Sequence, residues 1–148
     1  MDIKNELLKF NDFLNSVYGR PIKLSDILNS NSFSVEEINI IKEEIELLLL
    51  HLEFALKCKF INSSNKLRLY QVICKRYGLF GFDKLTLREV AKEMNLSHER
   101  VRQLEEKAIN YIKPNKRGDF LSMAISLSAC QILNIDVCVK LAQDNIEE

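Results

Sequence analysis

Residues 86–113 read TLREVAKEMNLSHERVRQLEEKAINYIK, two short helical patterns joined by one sharp turn. In the first, Leu87, Val90, Ala91 and Met94 recur at i, i+3, i+4 and i+7 and so share one helical face. Thr86 is the natural N-cap, and Glu89 completes a capping box with it. Asn95 follows the last apolar position. Asn is the non-glycine residue that most readily takes the left-handed conformation, which ends a helix and turns the chain aside. Leu96 can then point inward, and Ser97 caps a second helix whose inner seam is Val101, Leu104, Ala108 and Ile112.

That seam forces His98, Glu99, Arg102, Gln103 and Glu106 to the opposite side. A polar face of this make-up suits a DNA major groove. Arg can fork onto guanine O6 and N7, Gln can pair with adenine, and Glu can accept from cytosine N4. A solvated helix surface is the plainer reading of any polar face. The agreement of caps, turn residue, inner seam and outer chemistry over a single helix pair favours a helix-turn-helix.

Residues 67–113, LRLYQVICKRYGLFGFDKLTLREVAKEMNLSHERVRQLEEKAINYIK, resemble region 4 of housekeeping-type bacterial sigma factors. The resemblance is carried by KRYGL at 75–79, by TLREVAKEMNLS, and by ERVRQLE at 99–105 followed by Lys107 and Ala108. It covers about a third of the chain, and neither flank resembles the rest of a sigma factor. It implies base contacts to a minus thirty-five-like promoter element from His98, Glu99, Arg102 and Gln103. It also implies phosphate contacts from Ser97, Lys107 and the backbone at Thr86 and Leu87, the last in keeping with the free N–H groups of a helix N-terminus. Arg88, Lys92, Arg100, Lys116 and Arg117 join the phosphate candidates on charge. In such factors the helix matching 66–77 helps form a cup for the flap-tip helix of the RNA polymerase β subunit. Carried over, this makes Leu69, Val72, Ile73, Tyr77 and Leu79 the flap candidates. His98 departs from the pattern: it stands where the family typically has Arg, which exchanges a long forked donor for a short ring. Asn110 and Tyr111 replace residues that tend to be basic.

Charge agrees with the motif. The chain is formally neutral, yet residues 67–117 hold 12 Lys and Arg against 6 Asp and Glu, while 1–66 carry a net −2 and 118–148 a net −4. The basic block coincides with the helix-turn-helix. Cysteines 58, 74, 130 and 138 form no CxxC pair and stand far from either histidine, so zinc ligation is not expected and reduced, buried thiols are. No signal peptide and no apolar run long enough for a bilayer stand out, so the expected setting is the bacterial cytosol, at the nucleoid.

The rest of the chain reads as helices, giving an all-α fold in three parts: a helical 1–65, the helix-turn-helix part 66–117, and a helical extension 118–148. Ile3, Leu7, Phe10, Leu14 and Val17 form the stripe of a first helix that ends at Gly19 and Pro21. A short helix capped by Ser25 fits 22–31. Ser34 and Glu37 open a long helix reaching about residue 59, with Val35, Ile38, Ile41, Ile45, Leu48, Leu52, Ala55 and Leu56 along its stripe. His51, alone beside that stripe, reads as structural. The polar break at 62–65, with Ser63 or Ser64 as a cap, separates the first two parts. Gly78 and Gly81 are turn residues. After Pro114 and a basic turn, Asp119 caps a helix over 120–134 that is apolar almost all round and therefore expected to be buried. A last helix over 136–145, with Val137, Val139 and Leu141, either packs on the N-terminal helices or makes a homodimer.

The function classes narrow accordingly. With no Trp and no aromatic-rich region 2, the chain is not a complete sigma factor. The first expectation is a DNA-binding transcription regulator that touches double-stranded promoter DNA and the RNA polymerase flap, with a second protein supplying region 2 function. The second is a protein-interaction adaptor, or an anti-sigma-like factor, that works without specific DNA recognition. No nucleophile–base pair, phosphate loop or metal cluster points to an enzyme, and no cofactor is expected.

Overall fold

The computed structural model describes residues 2–62 and 64–146, and among them the chain is all-α, with eight helices and no strand. They are α1 (Ile3–Tyr18), α2 (Leu24–Ser30), α3 (Val35–Glu43), α4 (Ile45–Phe60), α5 (Ser64–Tyr77), α6 (Leu87–Met94), α7 (His98–Ile112) and α8 (Phe120–Ile146). No described helix is long and apolar enough to cross a membrane. Ser63, offered above as a cap, lies outside the described residues, as do the side chains of Asp136, Val137 and Val139.

α1 forms as its stripe requires. Asp2 accepts from the backbone of Lys4 and Asn5, and Gly19 closes the helix in the left-handed region at φ 69°. Phe10, Leu14 and Val17 are buried, and so is Phe13, which the stripe omitted. The Phe13 ring meets Tyr77 of α5 at 5.4 Å, and Phe10 meets Phe80 at 6.4 Å, so α1 packs on the end of α5 and the turn after it. α2 starts one residue before the expected cap. The Lys23 N–H donates to the Asp26 carboxylate, and Asn11 and Asn15 of α1 receive the N–H groups of Leu24 and Ile22.

The expected long helix from Ser34 to residue 59 is two helices. Ser34 and Glu37 do form a reciprocal capping box, which holds the Glu37 carboxyl below its usual range through its bonds to Ser34. Glu44, however, leaves helical geometry at φ −101° and ψ 30°, and α4 restarts at Ile45. The break lets α3 lay Ile38 and Ile41 against α2 and α8 while α4 turns Leu48, Leu52, Leu56 and Phe60 toward α5 and α8. A straight helix would keep one of these sets off the core. Val35, counted in the stripe, is 75% exposed.

α8 is one 27-residue helix; the expected break near Asn134 is absent. It packs inside the chain, on α4, α3 and α2. Leu121, Ala124, Ile125, Ala129 and Ile132 are buried, but Met123 and Leu127 are exposed, so only one face of this apolar segment is covered. Its start is pinned by Asp119, which caps Ser122 and accepts the Tyr18 hydroxyl at 2.7–2.8 Å. A second tie runs through Tyr111 of α7. Its hydroxyl donates to the Lys59 carbonyl, its ring stacks near Phe60 at 5.1 Å, and the Lys59 and Lys66 ammonium groups sit over its face.

The buried side chains form one continuous cluster contributed by all three stretches of the chain. Cys74 is buried within it, whereas Cys58 and Cys130 are exposed, against the expectation that the cysteines are buried; the Cys138 side chain is not among those described. Burial pushes the Cys74 thiol up to about 12, and burial also raises the Tyr18, Tyr70 and Tyr77 phenols. A group whose pKa burial raises contributes fully below its unfolded pKa, and that contribution is lost as pH climbs toward the folded value. The contribution of Cys74 to stability is therefore expected to be constant below about 9 and to be lost as pH rises toward 12, because the unfolded chain ionises first. Denaturant titrations at increasing pH check this. In native protein at pH 8 an aromatic disulfide reagent should modify Cys58 and Cys130 quickly and Cys74 only on unfolding.

Candidate nucleic-acid interface

The turn between α5 and α6 sets where the helix-turn-helix sits. Gly78 is buried at φ 65°, and an added Cβ would lie 2.8 Å from the Lys84 backbone nitrogen. Gly78→Ala is expected to cost about 2 kcal/mol or more, from left-handed strain with a backbone clash on top; a urea midpoint unchanged from the parent would refute this. Arg76 fastens the same corner. Its Nε donates to Glu105 of α7 at 3.1 Å and its Nη1 to the Leu85 carbonyl at 2.9 Å, while Lys75 pairs with Glu93 of α6.

α6 and α7 follow their sequence signals closely. Thr86 and Glu89 form the reciprocal capping box, Asn95 is left-handed at φ 56° and ψ 47°, and Ser97 accepts from the Arg100 N–H. Leu96 returns its N–H to Ala91 at 2.9 Å, closing the turn. Val90 and Ala91 meet the seam of Val101, Leu104, Ala108 and Ile112, and all six are buried.

With the seam buried, His98, Glu99, Arg102 and Gln103 are all exposed along the outer side of α7. They are tied to one another. Arg102 donates to Glu99 at 2.6 Å and 3.1 Å and to Glu106 at 3.2 Å, and Arg100 reaches the Gln103 side-chain oxygen at 3.4 Å. Hydrogen bonding to Arg102 holds the Glu99 carboxyl below its usual range, and the same pairing raises Arg102. These are solvated pairs that a stronger partner can displace, because exposed ion pairs contribute little.

Thr86, Arg88, Lys92, Ser97, Arg100, Lys107, Lys116 and Arg117 are exposed, and Leu87 is half-buried at the N-terminus of α6. The first turn of α6 presents N–H groups without helical partners. Lys116 and Arg117 stand on the turn after α7, where Asn115 and Gly118 exchange backbone hydrogen bonds of 3.0 Å and Asn115 receives the Arg117 N–H. Arg117 lines a cleft with Lys59 and Lys113 at the C-terminal end of α7.

Sequence reasoning missed a groove of about 540 Å³ between the start of α5 and the flank of α7. Lys66 and Arg68 line it with Arg100 and Lys107, so four cations from two helices converge beside the outer face. Arg68 belongs to the basic block and Lys66 stands just before it, but the apolar periodicity of α5 does not show that they meet α7.

The flap candidates lie largely inside the fold. Leu69, Val72, Ile73 and Leu79 are buried in this chain's own core, and half-buried Tyr77 has its ring against Phe13 of α1. Leu79 also lines an open pocket with Phe10 and Phe80, and Leu69 borders the groove beside α7. Tyr77 among them meets α1, which lies outside the matched segment.

No solved structure matches the chain. The family model described as sigma-70, region 4 matches residues 68–113, a span running from α5 to the end of α7. That family is a non-enzymatic transcription domain with a DNA-binding and RNA polymerase-related role. The match and the geometry of α6 and α7 together identify residues 68–113 as a sigma-70 region 4 segment.

Proposed function

We propose that the chain is a transcription regulator that lays α7 into the major groove of minus thirty-five-like promoter DNA and is not a complete sigma factor. Arg102 and Gln103 read bases, with His98 and Glu99 beside them, and Glu99 releases Arg102 on contact. The α6 N-terminus at Thr86 and Leu87, with Arg88, Lys92 and Ser97, holds phosphates. Arg100 and Lys107 do so on the α5 side, and Lys66 and Arg68 extend that contact; Lys116 and Arg117 extend it past the end of α7. The observation that carries the reading is a polar, exposed face on α7 with cations on its α5 flank.

The test is selection from a random duplex pool, followed by affinity measurements at several salt concentrations. Enrichment of one motif, with log affinity falling linearly in log salt, is expected. No duplex affinity at low salt would overturn the reading in favour of the adaptor.

A role on RNA polymerase with a second protein supplying region 2 belongs to the same proposal, tested by co-purification with core enzyme. Flap docking on Leu69, Val72, Ile73, Tyr77 and Leu79 would engage side chains that now lie largely in the chain's own core. Homodimerisation through the C-terminal helix rests on the exposed Met123 and Leu127, which line an apolar cleft of about 670 Å³ with Leu50 and Phe54 of α4. Sedimentation velocity across a concentration series tests it.

A further inference from the structure

A second surface lies away from the DNA-reading face. A pocket of about 470 Å³ opens between α1, the first half of α4 and the turn after α5, walled by Phe10, Leu47, Leu49, Leu79 and Phe80, with Leu50 at its lip and 59% exposed. That volume falls in the range of pockets that take a few apolar side chains. Four carboxylates line it: Glu6, Glu44, Glu46 and Glu53. Glu6 is answered by Lys9 at 3.5 Å. Among the described residues Glu44, Glu46 and Glu53 have no ion-pair partner within 4.0 Å. Phe80 holds its wall position in a left-handed backbone at φ 55°, anchored by its ring contact with Phe10.

We infer that this pocket docks a basic, amphipathic segment of another protein, with an apolar side chain between Leu50 and Phe80 and Lys or Arg on the glutamates. Charge complementarity selects the occupant. Nucleic acid and anionic lipid are repelled by the rim, and a purely apolar partner would leave three carboxylates uncompensated beside a dry contact. The duplex-facing side of α7 plays no part, so the inference stands apart from the DNA reading.

The test uses the full chain and a fluorescent synthetic helical peptide carrying Leu and Phe on one face and Lys on the other. Two control peptides replace Lys by Glu, or Leu and Phe by Ser. Anisotropy should rise with the first peptide alone. Its affinity should fall at least about tenfold in the triple variant Glu44→Gln, Glu46→Gln, Glu53→Gln, and steeply with salt. Amide chemical shifts should move at Leu47, Leu50 and Phe80 and stay fixed along α7. Leu50→Gln, at the exposed lip of the pocket, should also weaken the peptide.

Absence of binding, equal binding of the serine control, shifts confined to other surfaces, or full affinity in the triple variant would each overturn the inference. So would sedimentation showing that a second copy of the chain fills the pocket in place of the peptide.

Discussion

Phe13→Ala is expected to lower the stability of the whole chain by about 3–5 kcal/mol, the usual cost of deleting a fully buried aromatic ring. The Phe13 ring lies between Phe10 at 5.9 Å and Tyr77 at 5.4 Å, and no part of it is exposed. Tyr77 is the last residue of α5, inside the segment matched to region 4, whereas Phe13 lies outside it. The substitution therefore opens a void at the seam between the unmatched N-terminal helices and the helix-turn-helix part. Because both sides share one core cluster, they should melt together, with helical signal and Tyr fluorescence lost at one lowered midpoint. Separate transitions, with the 66–117 part keeping its parental midpoint, would show that it folds as an independent domain and would refute the prediction.

Arg102→Ala is expected to reduce affinity for the selected duplex roughly tenfold or more and to flatten its preference at one position. Two effects add. A forked base contact disappears, and the Glu99 and Glu106 carboxylates that Arg102 now neutralises face the duplex phosphates unpaired. Glu106→Gln separates them: it keeps the guanidinium while removing one carboxylate, so binding to unselected duplex should strengthen with the preferred motif unchanged. Lys107→Ala should weaken all sequences alike and reduce the slope of log affinity against log salt by about 1. Identical binding curves for parent, Arg102→Ala and Lys107→Ala would contradict the DNA-reading role.

The exposed outer face of α7 was legible because every signal that builds it is local. A capping hydroxyl at Thr86, a left-handed Asn95, a second cap at Ser97 and a 3.6-residue seam lie within a few residues of their partners, so side chains on the far side of α7 face outward whatever the rest of the chain does. The cationic groove on the α5 side was less legible. Lys66 and Arg68 join Arg100 and Lys107 only across a helix–helix contact, which no spacing within one helix encodes.

The sequence by itself determined the all-α character, the α6–α7 pair with its caps at Thr86, Asn95 and Ser97, and the face that α7 turns outward, since these depend on periodicity and short-range hydrogen bonds. Only the tertiary structure decided that α3 and α4 part at Glu44, that α8 runs unbroken with one apolar face covered, and that α1 lies against Tyr77 and the turn after α5. Those outcomes depend on which distant surface each apolar stripe finds. An apolar side chain records that it must be covered, and the packed chain alone specifies by what.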